Sequence, residues 1–294
     1  MKKLCLTVLV AFAVITVTNA QDLKSKQGVP ILPEAGDYAL GIDATPFFNY
    51  FGKFLSNAGA TSPTWNFITA NQTIRGKYYV DETTAYRAEI RLGVLGSNTD
   101  KNMVSNRSDT TTYNYPAMGQ KVENSWKSSA TNIGLGVGLE KHRGKGLLQG
   151  YYGAGLGIYY SNSKDKFTYG NALVPTGVVV DVDLVDDAFA GASNTKTDTY
   201  GNDARITERK NGSSLALNLG AFVGAEYFIL PKVSFGGEFG WGLGLVTNGK
   251  TTTTTESIGG TTPTVGQQII EGNKSGMFGF DNNFSGALYF MLHF

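Results

Sequence analysis

The chain has 294 residues, with 25 lysines and arginines against 24 aspartates and glutamates, and charged residues make up only 17% of it. So even a balance excludes the basic surplus of a nucleic-acid binder and the acidic surplus of a cation store. Glycine is abundant at 38 residues, aromatics reach 12%, and Cys5 is the single cysteine, so no disulfide framework is available.

Residues 1–20 read as a signal peptide. Lys2 and Lys3 form a positive start, Leu4 to Val17 an apolar stretch, and Thr18-Asn19-Ala20 a small-residue cleavage site before Gln21. The apolar stretch is shorter than the roughly 20 residues of a spanning helix, and no later run reaches that length. Cleavage removes Cys5, Lys2 and Lys3, leaving 23 basic against 24 acidic residues. Residues 21–35 then form a periplasmic N-terminal segment, and residues 36–294 a single β domain with no Pro- or Ser-rich linker.

Period-2 alternation marks eight strands, near 36–50, 72–81, 84–96, 130–141, 147–161, 213–229, 232–247 and 283–294. Each is at least about as long as the 9–11 residues a tilted strand needs to cross a bilayer. Short connections (Asp81–Thr83, His142–Gly146, Leu230–Pro231) alternate with long ones near 51–71, 97–129, 162–212 and 248–282. That alternation predicts an all-β fold, an antiparallel up-and-down transmembrane β-barrel with tight periplasmic turns, long extracellular loops and both termini in the periplasm.

One face of each strand is apolar. It carries Tyr38, Leu40, Ile42 and Ala44, then Tyr86, Ala88, Ile90, Leu92 and Val94, then Ile133, Leu135, Val137 and Leu139. Leu215 to Tyr227 and Val233 to Leu245 continue it at alternate positions. None of these positions is charged, as lipid contact requires when a mid-bilayer Lys or Arg costs roughly 2–4 kcal/mol. Aromatics gather at the strand ends: Tyr38, Tyr78, Tyr86, Tyr227 and Phe294 at one rim, Phe48, Tyr160 and Phe284 at the other. Pro46 predicts a bulge in the first strand. The last residues, Phe284 to Phe294, alternate throughout and stop on a phenylalanine.

The opposite face collects Asp43, Arg75, Lys77, Arg87, Glu89, Arg91, Glu140, Glu226 and Glu238 among many glycines. An eight-stranded ring encloses only enough room for side chains. Near-balanced charges on such a wall predict a salt-bridged plug in preference to an ion pathway.

The eight-strand layout and terminal phenylalanine resemble the small OmpA-like and OmpX-like barrels of the porin-like outer-membrane families. The opening strand, Gly36 to Phe47, looks like that of Bacteroidetes-type members. The resemblance implies an outer-membrane location, contact with outer-membrane lipid, and an assembly signal at Leu288, Phe290, Leu292 and Phe294 read by the barrel-assembly machinery. It implies no particular activity. The chain carries no peptidoglycan-binding domain after the strands, so a wall tether is not expected.

Signals for chemistry are sparse. His142 falls in a predicted turn and His293 at the end of the last strand, neither with a partner at metal-ligand spacing. The glycines of Gly134-Leu135-Gly136-Val137-Gly138 alternate within a strand, without the strand–turn–helix setting of a dinucleotide loop. Asp181, Asp183, Asp186 and Asp187 are a weak metal candidate lacking the glycine turn of a calcium loop; a hairpin projecting above the barrel explains them better. The run Thr251 to Thr255 reads as low complexity and mobile. Asp109-Thr110-Thr111 matches a short O-glycosylation motif, making Thr110 the acceptor; Asn211-Gly212-Ser213 carries no weight in a bacterial envelope.

The expectation is therefore a non-enzymatic scaffold without cofactor. It acts through its long loops, or as an accessory subunit bound to a surface or envelope protein. A narrow porin-like pore is the alternative, and a rim-located hydrolase, for which no catalytic dyad is visible, comes third.

Overall fold

The computed structural model describes residues 23–44, 74–105, 121–144, 146–173, 189, 194–259, 264–281 and 287–294. Among these there are twelve strands and no helix. They are β1 (Tyr38–Asp43), β2 (Ile74–Asp81), β3 (Thr84–Ser105), β4 (Lys121–Arg143), β5 (Leu148–Thr168), β6 (Thr195–Thr197), β7 (Asp203–Leu230), β8 (Val233–Asn248), β9 (Thr252–Gly259), β10 (Thr264–Glu271), β11 (Ser275–Asp281) and β12 (Ala287–His293). Among the described residues no helix is long and apolar enough to cross a membrane, which does not bear on strands.

Eight of the strands close into an antiparallel ring in the order β1-β2-β3-β4-β5-β7-β8-β12, with β12 pairing back to β1. The eight expected strands are these eight, but their bounds differ. β3, β4, β5 and β7 run well past the ring into what the sequence suggested were loops, and Leu95/Asn98 marks a bulge in the β3–β4 ladder. The expected loop near 248–282 contains β9, β10 and β11. β9 continues β8 alongside β7, and β11 pairs with the far half of β8 while β12 pairs with its near half. From Thr252 the threonine run is thus strand and not low-complexity loop: Thr255 is fully buried in β9. Threonine is β-branched and suits a pleated, half-buried surface.

Burial follows the alternation. Leu92, Leu135, Leu156, Leu219 and Leu243 are exposed on the outside of the ring, and their neighbours in each strand turn inward. Ala44 departs from the expected outward set, being fully buried where its amide donates to the Leu288 carbonyl at 2.8 Å. His142 also departs: β4 continues through Arg143, so His142 is an inward strand residue and the turn begins at Gly144.

The end of the ring where β1 starts and β12 ends is tied together by the Pro231-Lys232 turn. Lys232 has φ 60°, the left-handed region that L residues rarely occupy. Its amide donates to Ile31 at 3.1 Å, its carbonyl accepts from His293 at 2.7 Å, and its ammonium pairs with Asp37. Those contacts bind the N-terminal segment, the start of β1 and the end of β12 to one turn. Pro33, within that segment, is buried.

Candidate functional site

Inside the ring the charges form one network. Lys77, on β2, sits between Glu226 at 2.5 Å and Glu140 at 2.7 Å. Arg87, on β3, donates to Glu238 at 2.6 Å, pairs with Glu89 on its own strand, and lies 3.8 Å from Glu140. Arg75 closes the circuit, 3.6 Å from both Glu89 and Glu238. Four carboxylates from β3, β4, β7 and β8 thus each face at least one of three cations, and Glu140 and Glu226 are completely buried. Arg91 is buried in the same interior, and Asp43 faces it half-buried from the end of β1. The nine charged residues predicted from the sequence therefore share one interior, with seven of them joined through these ion pairs.

Aromatic residues, not predicted as part of this site, complete it. The Tyr289 hydroxyl lies 2.8 Å from Glu226 and 2.7 Å from the Tyr151 hydroxyl, which in turn reaches Glu238 at 3.2 Å. The Arg87 guanidinium lies 4.1 Å from the Phe222 ring centre, and the Lys77 ammonium 4.9 Å from that of Tyr151. Such contacts supply cation–π attraction to charges removed from water.

The glycines explain how the rings fit. Tyr151 lies opposite Gly224 in register, Tyr159 opposite Gly134, Phe222 opposite Gly153 and Tyr289 opposite Gly236. A Cβ would come within 2.5 Å of the Tyr289 ring at Gly236 and of the Tyr159 ring at Gly134. Each glycine is the seat of a ring from the next strand. Alternating parity alone could have found these rings, since Tyr79, Tyr151, Tyr159 and Tyr289 all occupy inward positions.

Toward the terminal end, the charged layer gives way to a layer of rings. His142 bonds Glu140 at 2.8 Å, and Tyr79 packs between His142 and His293 at 5.5 and 5.6 Å. Phe228 lies 5.2 Å from His293, whose Nε2 meets the Ser234 hydroxyl at 3.1 Å. Both histidines are thus built into the packing of the interior, although nothing in their spacing joins them.

A second cluster lies beyond the ring. Phe167, Phe189 and Ile206 are buried together, with Trp126 stacked on Phe167 and donating to Asp165 at 3.1 Å. Arg205 pairs with Glu256 and lies over the Tyr169 ring at 4.3 Å.

Among the described residues no group of three or more His, Cys, Asp and Glu could hold a metal. Asp181, Asp183, Asp186 and Asp187, Thr110, Phe284, Pro46 and the signal segment 1–20 lie outside the described residues. Leu288, Phe290, Leu292 and Phe294 alternate on the outer face of the last strand as the sequence indicated, with Leu288, Leu292 and Phe294 exposed and Phe290 half-buried. Comparison with protein-family models and with curated proteins finds no match.

Proposed function

We propose that the chain is an integral outer-membrane β-barrel with a closed, salt-bridged interior, acting through the structure it raises beyond the membrane or as an accessory subunit of an envelope complex. The observation that carries this reading is an inverted distribution of polarity. Leu92 is 62% exposed, Val94 69% and Leu219 58% on the outside, whereas Glu140 and Glu226 are fully buried within. In water that arrangement would leave a broad apolar belt uncovered. In a bilayer it meets both solvents correctly. The aromatic ends of the belt, Tyr38 near Tyr78 and Phe294, match the residues favoured at a membrane interface.

An interior filled by paired charges and rings favours a plug over a conduit. The ordered strands above the ring, from β3, β4, β5, β7, β9 and β10, provide the surface for a partner protein. No catalytic role or cofactor is part of this reading. Both termini lie on the periplasmic side in it, and the alternating end of β12, through Phe294, serves as the assembly signal.

The test is reconstitution of the full chain into planar bilayers. Folded protein that inserts and leaves the trace silent supports the plugged barrel. Discrete conductance steps that change with Arg87→Ala would replace it with a narrow pore. Failure to insert into bilayers of any composition would overturn the membrane reading itself.

A further inference from the structure

The outward face changes character abruptly above the ring. Leu92, Ile133, Tyr160 and Leu215 form its last wholly apolar row, in register across β3, β4, β5 and β7. Beyond it the same face carries Lys101, Lys121, Lys127, Lys164, Lys166 and Lys210 against Glu123 and Glu208, a surplus of four positive charges. The whole chain, by contrast, carries a formal net charge of +1.

The side on which these lysines lie is fixed by register. β4 and β5 pair without a break from Arg143 to Ser125, so Lys127, Lys164 and Lys166 continue the face of Ile133 and Tyr160. A register shift in the β5–β7 ladder, between Ser161 and Ser163, brings Lys210 to the same side. Gly212 lies at that shift, where a Cβ would come within 2.0 Å of the Gly249 carbonyl. One acid is turned to the other face: Asp165, between two of the lysines, points inward to Trp126.

The lysines also oppose one another. Lys127 lies directly across from Lys166, and Lys164 directly across from Lys210. Like charges in directly opposed positions destabilise a sheet. Glu208 relieves part of this by pairing with both Lys164 and Lys210, and Glu123 pairs with Lys101 at 2.8 Å. Elsewhere beyond the ring, Arg205 pairs with Glu256 and Lys250 with Glu271. On β3, β4, β5 and β7 the outer face keeps its surplus of four positive charges.

We infer that this lysine face is a binding surface for the phosphate groups of an anionic outer-leaflet glycolipid. The inference rests on the barrel reading, because that reading places the apolar row at the membrane boundary. Lys164 is four residues beyond Tyr160, about 14 Å along the strand and about 10 Å above it at a tilt near 40°. Long lysine stems reach back from that height toward the headgroup layer. The apolar band and the basic face are one continuous outer surface, so a lipid whose chains pack on Ile133 and Leu215 presents its headgroup to Lys164 and Lys210. Phosphates there neutralise the opposed lysines without burying them.

The test uses the full chain in vesicles containing bis-phosphorylated lipid A, set against the same lipid with both phosphates removed. Binding is read by native mass spectrometry of the extracted protein and by tryptophan fluorescence during titration. Retention of the phosphorylated lipid is expected to exceed that of the dephosphorylated form by about ten-fold or more, and to fall as salt is raised. The triple variant Lys164→Gln/Lys166→Gln/Lys210→Gln should lose that preference, while Lys141→Gln, at the opposite rim, should keep it. Equal retention of the two lipids, or an unchanged preference in a correctly inserted triple variant, would overturn the inference. Displacement by inorganic phosphate at comparable concentration would also overturn it, by showing a free-anion site. A chain that fails to insert sinks the barrel reading; one that inserts without preference sinks only the lipid site.

Discussion

Tyr38 and Phe294 close the ring by exchanging both of their backbone hydrogen bonds, each amide donating to the other's carbonyl at 2.8 Å. Their rings stack with centres 6.5 Å apart on the outer face. First and last strands therefore meet at a pair that carries both ladder and side-chain contact. Phe294→Ala keeps the ladder and removes the ring contact, at a cost of about 0.5–1.5 kcal/mol. Deleting Phe294 also removes two backbone bonds worth about 0.5–1.5 kcal/mol each. The urea midpoint in detergent should fall for both variants and further for the deletion. Equal midpoints would mean the seam is held by Ala39 to Asp43 alone.

Arg87 reaches Glu238, Glu89 and Glu140, so its removal leaves the four buried-network carboxylates with only Lys77 and Arg75 to balance them. Breaking a buried pair costs about 3–5 kcal/mol. Arg87→Ala should lower the urea midpoint accordingly, whereas Lys127→Ala, on the exposed face, should stay within about 0.5 kcal/mol. Exchanging Arg87 and Glu238 should recover part of the loss. Equally mild effects at both sites would indicate an interior wet enough for charges to screen one another.

Gly236 seats the Tyr289 ring, and a methyl group there would lie 2.5 Å from it. Gly236→Ala must displace Tyr289, which is hydrogen-bonded to Glu226 and Tyr151. Overpacking of this kind costs about 1–3 kcal/mol. Tyr289→Leu makes room, so the double variant should lose less than the sum of the two single changes. Strict additivity in thermal unfolding would show that the ring and the glycine do not share space.

The architecture was legible because the alternation of a two-faced strand is a simple pattern. Period-2 alternation with an uncharged face located all eight strands of the ring, and the inward charges fell where the parity put them. The strand ends were not legible. Lys121 to Ser129 and Ser161 to Thr168 are mostly polar, with only Val122, Trp126 and Phe167 apolar on the inner face, so no sustained alternation marks them as strand, and their long-range pairing makes them β. The rings of the interior were missed because tyrosine is amphipathic and reads equally well at a rim. That Tyr151 and Tyr289 face inward depends on parity, but that they bridge Glu226 and Glu238 depends on which strands close the ring. His142 was misplaced by the glycines of the following turn, which suggested an earlier strand end.

Asp198 organises the turn between β6 and β7, beyond the ring. Its carboxylate accepts from the amides of Tyr200 and Asn202, each at 2.8 Å, and from the Ser257 hydroxyl of β9 at 2.8 Å. Burial works against its charge, but the hydrogen bonds from Asn202, Ser257 and Tyr200 outweigh it and hold the carboxyl below its ordinary value. A depressed folded value means that the stabilisation is present above the unfolded value, about 3.9, and is lost as pH falls through the folded one. Hydrogen exchange at the Tyr200 and Asn202 amides should therefore be slower in the wild type than in Asp198→Asn at neutral pH. The difference should persist to about pH 4 and disappear below the depressed value. Protection that is the same in both proteins across that range would mean that the turn is held by Thr199 and Gln268, bonded at 3.0 Å, rather than by the carboxylate.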